Sequence, residues 1–194
     1  MNGFRWRTVD IVVASTIAVA FGVIFWAWGL LWFGPFSVAF SGFPPAAGIV
    51  NGVWFIPAVL APLIIRKPGA ALFAELVAAI ISMLLGSGWG WLLFWYGAVQ
   101  GLGGELAFAP IGPARFGLAR ATLAGALAGA GATALDLTTS SLGDMQTSWQ
   151  IAYGACQIAS GALIAGVGSY LLAKGLARTG VLDRFPIGRV RELV

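Results

Sequence analysis

Charge is missing from long stretches of this sequence, and that constrains its fold more than any other feature. Residues 11–65 form 55 consecutive positions without Asp, Glu, Lys or Arg, and residues 76–104 and 145–173 are uncharged as well. Charged residues make up 9% of the 194-residue chain and apolar residues 59%, whereas a soluble domain carries roughly 25% charge. Because about 20 apolar residues cross a bilayer as a helix, we predict one integral-membrane domain, residues 1–194.

Glycine, proline and charged residues divide the apolar sequence into six segments, which predicts an all-α membrane protein with six transmembrane helices. Pro57 and Pro62 are expected to kink the second helix. The first segment is too long for the apolar region of a signal peptide, and no small-residue cleavage site follows it, so we expect a retained helix. The expected helices cover approximately 8–33, 46–65, 69–85, 91–109, 116–137 and 149–173.

The basic residues predict the orientation, because Lys and Arg in short loops stay on the cytoplasmic side. With six spans, all of them fall on one face. We therefore expect a multi-pass protein of the cell membrane with both termini in the cytoplasm, and an outer face whose one clear charge is Asp144. The four basic groups are Arg5/Arg7, Arg66/Lys67, Arg115/Arg120 and the tail from Lys174 to Arg191.

The residue content excludes several chemistries. The chain has no His and one Cys, Cys156. A Ser-His or Cys-His nucleophile pair therefore cannot be built, and neither can a His-ligated zinc or haem site or an internal disulfide. The glycine clusters at 86–88 and 101–104 lack the Lys of a phosphate-binding loop. We predict that the protein is not an enzyme and holds neither a metal ion nor a cofactor, and that Cys156 is a packing residue.

Three acidic residues fall inside the predicted spans: Glu75, Glu105 and Asp136. A charged side chain at mid-bilayer costs roughly 2.5 to 3.5 kcal/mol on insertion scales, so each needs a partner or a function. Glu75 and Glu105 are expected at similar depth on antiparallel neighbours, where they could share a site. The structural alternatives are a protonated acid bonded to a carbonyl or a link to basic residues at the inner rim and, for Asp136, a cap on the outer link.

Uncharged polar residues also lie at depth, at Asn51, Gln100, Gln150, Tyr153 and Gln157. Buried amides must be hydrogen-bonded. Asn51, Gln100 and Gln157 fall near the midplane or in the outer half, so we expect either a converging polar cluster or hydrogen bonds between helices.

The tryptophans are skewed toward the outer half, where every Trp except Trp6 is expected. An aromatic belt alone would populate both interfaces. Two to four of these rings are therefore expected to line a cavity that opens outward, where they could stack on a flat solute or face a cation. Together with the acids and amides, this predicts a pocket for a small, flat, cationic heteroaromatic compound. The eight are Trp26, Trp28, Trp32, Trp54, Trp89, Trp91, Trp95 and Trp149.

Small residues recur every four positions on the first helix, at Ala14, Ala18 and Gly22. Such a stripe lets helices approach closely in lipid. It is compatible with internal packing and equally with docking of another membrane subunit.

The central part of the chain contains a specific block of motifs: Arg66-Lys67-Pro68-Gly69-Ala70-Ala71 followed by Glu75, Leu84-Leu85-Gly86-Ser87 with Trp89-Gly90, and Tyr96-Gly97-Ala98-Val99-Gln100-Gly101-Leu102-Gly103-Gly104-Glu105-Leu106-Ala107-Phe108-Ala109. With this block the chain resembles the YkoE family, the substrate-binding S components of energy-coupling factor (ECF) vitamin transporters, associated with thiamine or its hydroxymethylpyrimidine precursor. The resemblance spans nearly the whole chain.

The resemblance implies a six-helix subunit that pairs with a transmembrane coupling subunit and two ATP-binding subunits, and it makes Ala14 and Ala18 candidates for the docking contact. Under this hypothesis the ligand is thiamine or hydroxymethylpyrimidine, and Asp136 helps neutralise the thiazolium. The aminopyrimidine would be hydrogen-bonded by Glu75, Gln100, Asn51 and Gln157. The rings would be enclosed by Trp28, Trp54, Trp89 and Tyr153.

Two alternatives remain open from the sequence. One is a proton-coupled carrier of small cations, in which Glu75 and Glu105 relay protons. The other is a membrane assembly subunit that binds no solute and uses its small-residue faces for helix docking alone.

Overall fold

The computed structural model describes residues 5–109 and 116–189, the last without its side chain, and all regular structure within these ranges is helical. The main α-helices are α1 (Thr8–Leu31), α2 (Ile56–Ile65), α3 (Ala70–Leu84), α4 (Leu92–Phe108), α5 (Leu118–Thr139), α6 (Thr147–Ser160) and α7 (Gly168–Arg178). Two short helices, Ser37–Ala39 and Pro186–Arg189, and the 3₁₀ turn Ser141–Asp144 complete the described elements together with the segments below.

These helices form six passes, as the sequence predicts. By length and composition, four are long and apolar enough to cross a membrane: Thr8–Ala39, Pro44–Ile65, Leu118–Thr139 and Thr147–Arg178. The third and fourth passes, α3 and α4, are shorter, at 15 and 17 residues.

The first pass continues beyond its predicted end at residue 33. After α1 the chain forms a π-helical segment, Trp32–Phe36, with a non-helical backbone at Gly34. Pro35 lies inside this segment. The Gly-Pro pair therefore kinks the pass instead of ending it, and places the following residues across this end of the bundle.

The second pass is divided between two helix types. A 3₁₀ segment, Pro44–Phe55, precedes α2. The change comes at Phe55, so Pro57 lies in the first turn of α2, where a missing N–H costs little. The sixth pass is also interrupted, by the π-helical segment Gly161–Val167 between α6 and α7.

The inner half of the second pass forms the centre of the bundle. Every residue from Pro57 to Ile65 is buried, and α2 contacts α1, α3, α4, α5 and α7. Around it, α1 packs on α3, α3 on α4, α4 on α5 and α5 on the sixth pass, and α6 closes the ring against the 3₁₀ segment. The first half of the second pass, the 3₁₀ segment, belongs to the wall rather than the centre, and the bundle is open at that end.

The opposite end, here called the basic end, collects the described basic residues. Asp10 is 0% exposed and is bonded by Arg7 (2.9 Å) and Lys67 (2.5 Å). The Trp6 indole donates to the Pro68 carbonyl at 2.9 Å. At the same end, Arg120 donates to a carbonyl at the end of α4. The predicted grouping on one face is therefore observed for these residues, while Arg115 and Arg191 lie outside the described residues.

Candidate ligand-binding cavity

A cavity of about 360 Å³ lies at the end of the bundle opposite the basic end. Its walls come from the first pass, the 3₁₀ segment, α3, the link before α4, α4, α5, the link after α5, and α6. The kink at Gly34 and the 3₁₀ geometry of the second pass position two of these walls. Seven of the nine sequence-predicted ligand contacts border the cavity: Asn51, Trp54, Trp89, Gln100, Asp136, Tyr153 and Gln157.

Three indole rings form one side of the cavity. The ring centroids of Trp32 and Trp54 are 5.4 Å apart and those of Trp54 and Trp89 are 5.3 Å apart, both edge-to-face. Gly29 on α1 makes room for this cluster, because a Cβ there would lie 3.1 Å from the Trp89 ring. The result is an apolar, aromatic surface suited to a flat ring.

A hydrogen-bond network centred on Asp136 forms the polar side. The carboxylate accepts from the Tyr96 hydroxyl (2.5 Å), the Tyr153 hydroxyl (3.1 Å) and Gln157 Nε2 (2.9 Å). Asn51 Nδ2 donates to the Tyr153 oxygen at 2.9 Å and to Gln157 Oε1. Three donors aimed at one carboxylate stabilise its charged form. The network thus places a half-buried, hydrogen-bonded carboxyl group beside the aromatic rings and joins the second, fourth, fifth and sixth passes.

Close packing of the 3₁₀ segment against α6 presents Asn51 to this network. A Cβ at Gly48 would lie 2.8 Å from the Tyr153 carbonyl oxygen, so only glycine allows this approach. The backbone N–H of Gly52 donates to Ser160 Oγ at 2.9 Å, and that hydroxyl donates to the Ile49 carbonyl. The two passes are therefore held in register next to the cavity.

Gln100, on α4, also borders the cavity, but it is not hydrogen-bonded to the Asp136 network. It is 6% exposed, and its amide makes no hydrogen bond with any part of the chain that the structure describes. Tyr96 lies one turn earlier on the same helix face, so the Gln100 amide and the Asp136 network are neighbours.

Glu75 and Trp28 are not among the lining residues. Glu75 is 0% exposed, and its Oε2 accepts from the Ala58 N–H at 2.8 Å, in the first turn of α2. Trp28 donates to the Val50 carbonyl at 3.2 Å and packs edge-to-face on Phe36. Neither side chain borders the cavity, and each forms a hydrogen bond with the backbone of the second pass instead.

Glu105 also has a backbone partner. Its Oε1 accepts from the N–H groups of Ala71 (2.7 Å) and Leu72 (3.3 Å), in the first turn of α3. Carboxylates are stabilised at helix N-termini. Glu75 therefore accepts a hydrogen bond from the first turn of α2, and Glu105 accepts hydrogen bonds from the first turn of α3. Within the described residues, no hydrogen bond joins the two carboxyl groups.

Six aromatic residues that line the cavity were not among the predicted ligand contacts: Phe25, Trp32, Phe36, Phe40, Phe55 and Tyr96. Helical spacing contained the signal for Tyr96, because residues 89, 93, 96 and 100 recur every three or four positions, as expected of one helix face. Trp91 and Trp95, which leave that spacing, are 70% and 48% exposed and fit the predicted belt.

The small-residue stripe of α1 lies inside the bundle. Ala14 and Ala18 are 0% exposed, and a Cβ on Gly22 would lie 2.6 Å from the Ile81 Cβ of α3. Of the two interpretations left open by the sequence, internal packing is the one observed. A docking role for Ala14, Ala18 and Gly22 stays a prediction.

Comparison with known proteins gives three matches. The family model described as "ABC-type cobalt transport system, permease component" matches residues 9–131. The putative HMP/thiamine permease protein YkoE of Bacillus subtilis (strain 168) is 33% identical over 186 residues, which cover 95% of this chain and 91% of YkoE. A solved chain described as the crystal structure of an S-component of ECF transporter superposes with a TM-score of 0.86 at 32% identity, covering 97% of this chain and 94% of the other.

These relatives are transport proteins rather than enzymes, and their extensive overlap confirms the helical multi-pass fold and the resemblance seen in the sequence. The chain belongs to the YkoE family of membrane-embedded S components of energy-coupling factor transporters.

Proposed function

We propose that this protein is the substrate-binding subunit of an ATP-driven ECF importer, and that its cavity takes thiamine or hydroxymethylpyrimidine from the outer face. The observation that carries the proposal is the Asp136 carboxylate, held by three donors beside a cluster of three indoles. Aromatic rings and a half-buried carboxylate are a combination that suits a flat organic cation.

The chemistry of the lining favours an organic vitamin over a metal ion. Indole faces, phenols and amides surround the cavity, and Asp136 is its one carboxylate among the described lining residues. A divalent metal prefers several carboxylates or imidazoles. A pyrimidine with an attached cationic ring would instead use the aromatic wall and the polar wall together.

The charge distribution supports an orientation with the basic end in the cytoplasm. Arg7, Lys67 and Arg120 all belong to that end. The cavity at the other end would then open to the outside, where the vitamin arrives.

The same proposal includes the partners. A transmembrane coupling subunit and two ATP-binding subunits would supply the energy for uptake, and this chain would contribute the ligand site without a cofactor of its own. Ala14 and Ala18 of the α1 stripe are buried within the chain, which favours another surface for the contact with the coupling subunit.

Titration of the purified protein tests the proposal. Thiamine and hydroxymethylpyrimidine are added separately while Trp fluorescence is followed, because ligand next to Trp32, Trp54 and Trp89 should change their emission. We expect a saturable change below micromolar ligand. Its absence for both compounds would reject the proposed ligand class, and uptake that survives deletion of the ATP-binding partners would favour the proton-coupled carrier.

A further inference from the structure

Gln100 carries the one lining amide whose donor and acceptor are both unused among the described residues. The two amide hydrogens of Asn51 go to Tyr153 and Gln157. The Gln157 amide is used at both ends, by Asn51 and Asp136. Glu75, the fourth predicted contact to the pyrimidine, does not border the cavity.

The unused amide is open to the cavity rather than sealed in protein. Asn51 Oδ1 and Glu75 Oε1 are buried atoms without a hydrogen-bond partner among the residues that the structure describes. Neither amide atom of Gln100 is enclosed in that way, although the residue as a whole is 6% exposed. Since Gln100 borders the cavity, its remaining exposure is to the space that a ligand would fill. A nearly buried amide left unpaired is costly, so a bound molecule that pairs with it gains specificity.

We propose that Gln100 is the specificity-determining residue for the ring of the ligand, and that it reads an edge where an exocyclic amine adjoins a ring nitrogen. The Gln oxygen accepts from the amine while the Gln nitrogen donates to the ring nitrogen. The same two-bond pairing lets Gln or Asn recognise adenine. This inference rests on the proposed function, because thiamine and hydroxymethylpyrimidine share a 4-aminopyrimidine with such an edge.

The position of Asp136 relative to Gln100 fits a ligand that carries both such a ring edge and a positive charge. Tyr96 and Gln100 are four residues apart on α4, so their side chains are adjacent on one face. Tyr96 is bonded to Asp136. The ring edge would therefore meet Gln100, and a positive charge elsewhere on the same ligand would lie near Asp136.

A cycle with two ligands and two proteins tests the role of Gln100. Dissociation constants of wild type and Gln100→Leu are measured by Trp fluorescence for thiamine and for the thiamine analogue in which hydrogen replaces the exocyclic amine. In wild type we expect the analogue to bind about 10- to 100-fold more weakly than thiamine, since a bidentate pair discriminates by about that factor. In Gln100→Leu, thiamine binding should weaken by a similar factor, and the two constants should converge to within about threefold.

Gln146→Leu is the matched control, because Gln146 is exposed and its side chain makes no cap hydrogen bond at the start of α6. It should leave both constants within about threefold of wild type. Equal weakening of both ligands by Gln100→Leu would show a structural role and overturn the inference alone, as would unchanged thiamine binding. If wild type binds neither thiamine nor hydroxymethylpyrimidine, the proposed function fails and the inference fails with it.

Discussion

The Tyr96 hydroxyl donates a 2.5 Å hydrogen bond to the Asp136 carboxylate, connecting α4 to α5 at the wall of the cavity. It is the shortest of the three hydrogen bonds that Asp136 receives in the described part of the chain. The carboxylate is therefore fixed relative to both helices before any ligand arrives. Ligand binding then does not have to supply the free energy of ordering this group.

Tyr96→Phe removes this bond and leaves the ring in place. A hydrogen bond to a charged group contributes about 1.5 to 3 kcal/mol, so we expect a lower thermal unfolding midpoint in detergent and weaker thiamine binding. Differential scanning fluorimetry and fluorescence titration measure the two effects. Tyr170→Phe on α7, outside the cavity, serves as the control. Wild-type values for both properties in Tyr96→Phe would contradict a preorganised carboxylate.

Asp136→Asn should separate the two candidate ligands. The substitution removes a negative charge, so the cationic thiamine loses an attraction that neutral hydroxymethylpyrimidine never had. We expect the thiamine constant to rise at least tenfold more than the hydroxymethylpyrimidine constant, measured by titration of the same preparation. Damage to the fold would weaken both ligands together, and an equal loss would therefore show that Asp136 acts through structure rather than charge.

Glu75 should behave as a structural residue. Glu75→Gln keeps an oxygen for the Ala58 N–H, and we expect thiamine binding within about threefold of wild type. Glu75→Ala leaves that N–H unpaired and opens a void, which should cost roughly 2 to 4 kcal/mol of stability. Thermal unfolding of the two variants measures the difference. Loss of binding by Glu75→Gln in a protein of normal stability would return Glu75 to the ligand site.

Gly22→Val should disrupt the contact between α1 and α3. Its Cβ would lie 2.6 Å from the Ile81 Cβ, and overpacking of this kind costs about 1 to 3 kcal/mol. Ala20→Val, on the exposed side of the same helix, provides the matched comparison and should leave the unfolding midpoint nearly unchanged. The reverse order of stability would mean that α1 packs in another rotation.

The sequence by itself determined the number of passes, the gathering of basic residues at one end and the enrichment of indoles toward the other. These properties follow from hydropathy and charge along the chain. The thickness of the bilayer sets the length of each apolar span, and Lys and Arg in the short loops set the side on which each loop lies. The short block from Arg66 to Ala109 also sufficed to indicate the family.

Only the tertiary structure decided which polar and aromatic residues share the cavity. Successive residues of a helix are rotated by about 100°, so depth in the membrane does not give the direction of a side chain. Glu75 thus bonds the first turn of α2, while Gln100 borders the cavity. Likewise Trp32 lines the cavity, while Trp28 is outside the lining and bonds the Val50 carbonyl. The 3₁₀ geometry of residues 44–55 turns Asn51 toward Gln157, a contact between residues 106 positions apart that no local pattern encodes.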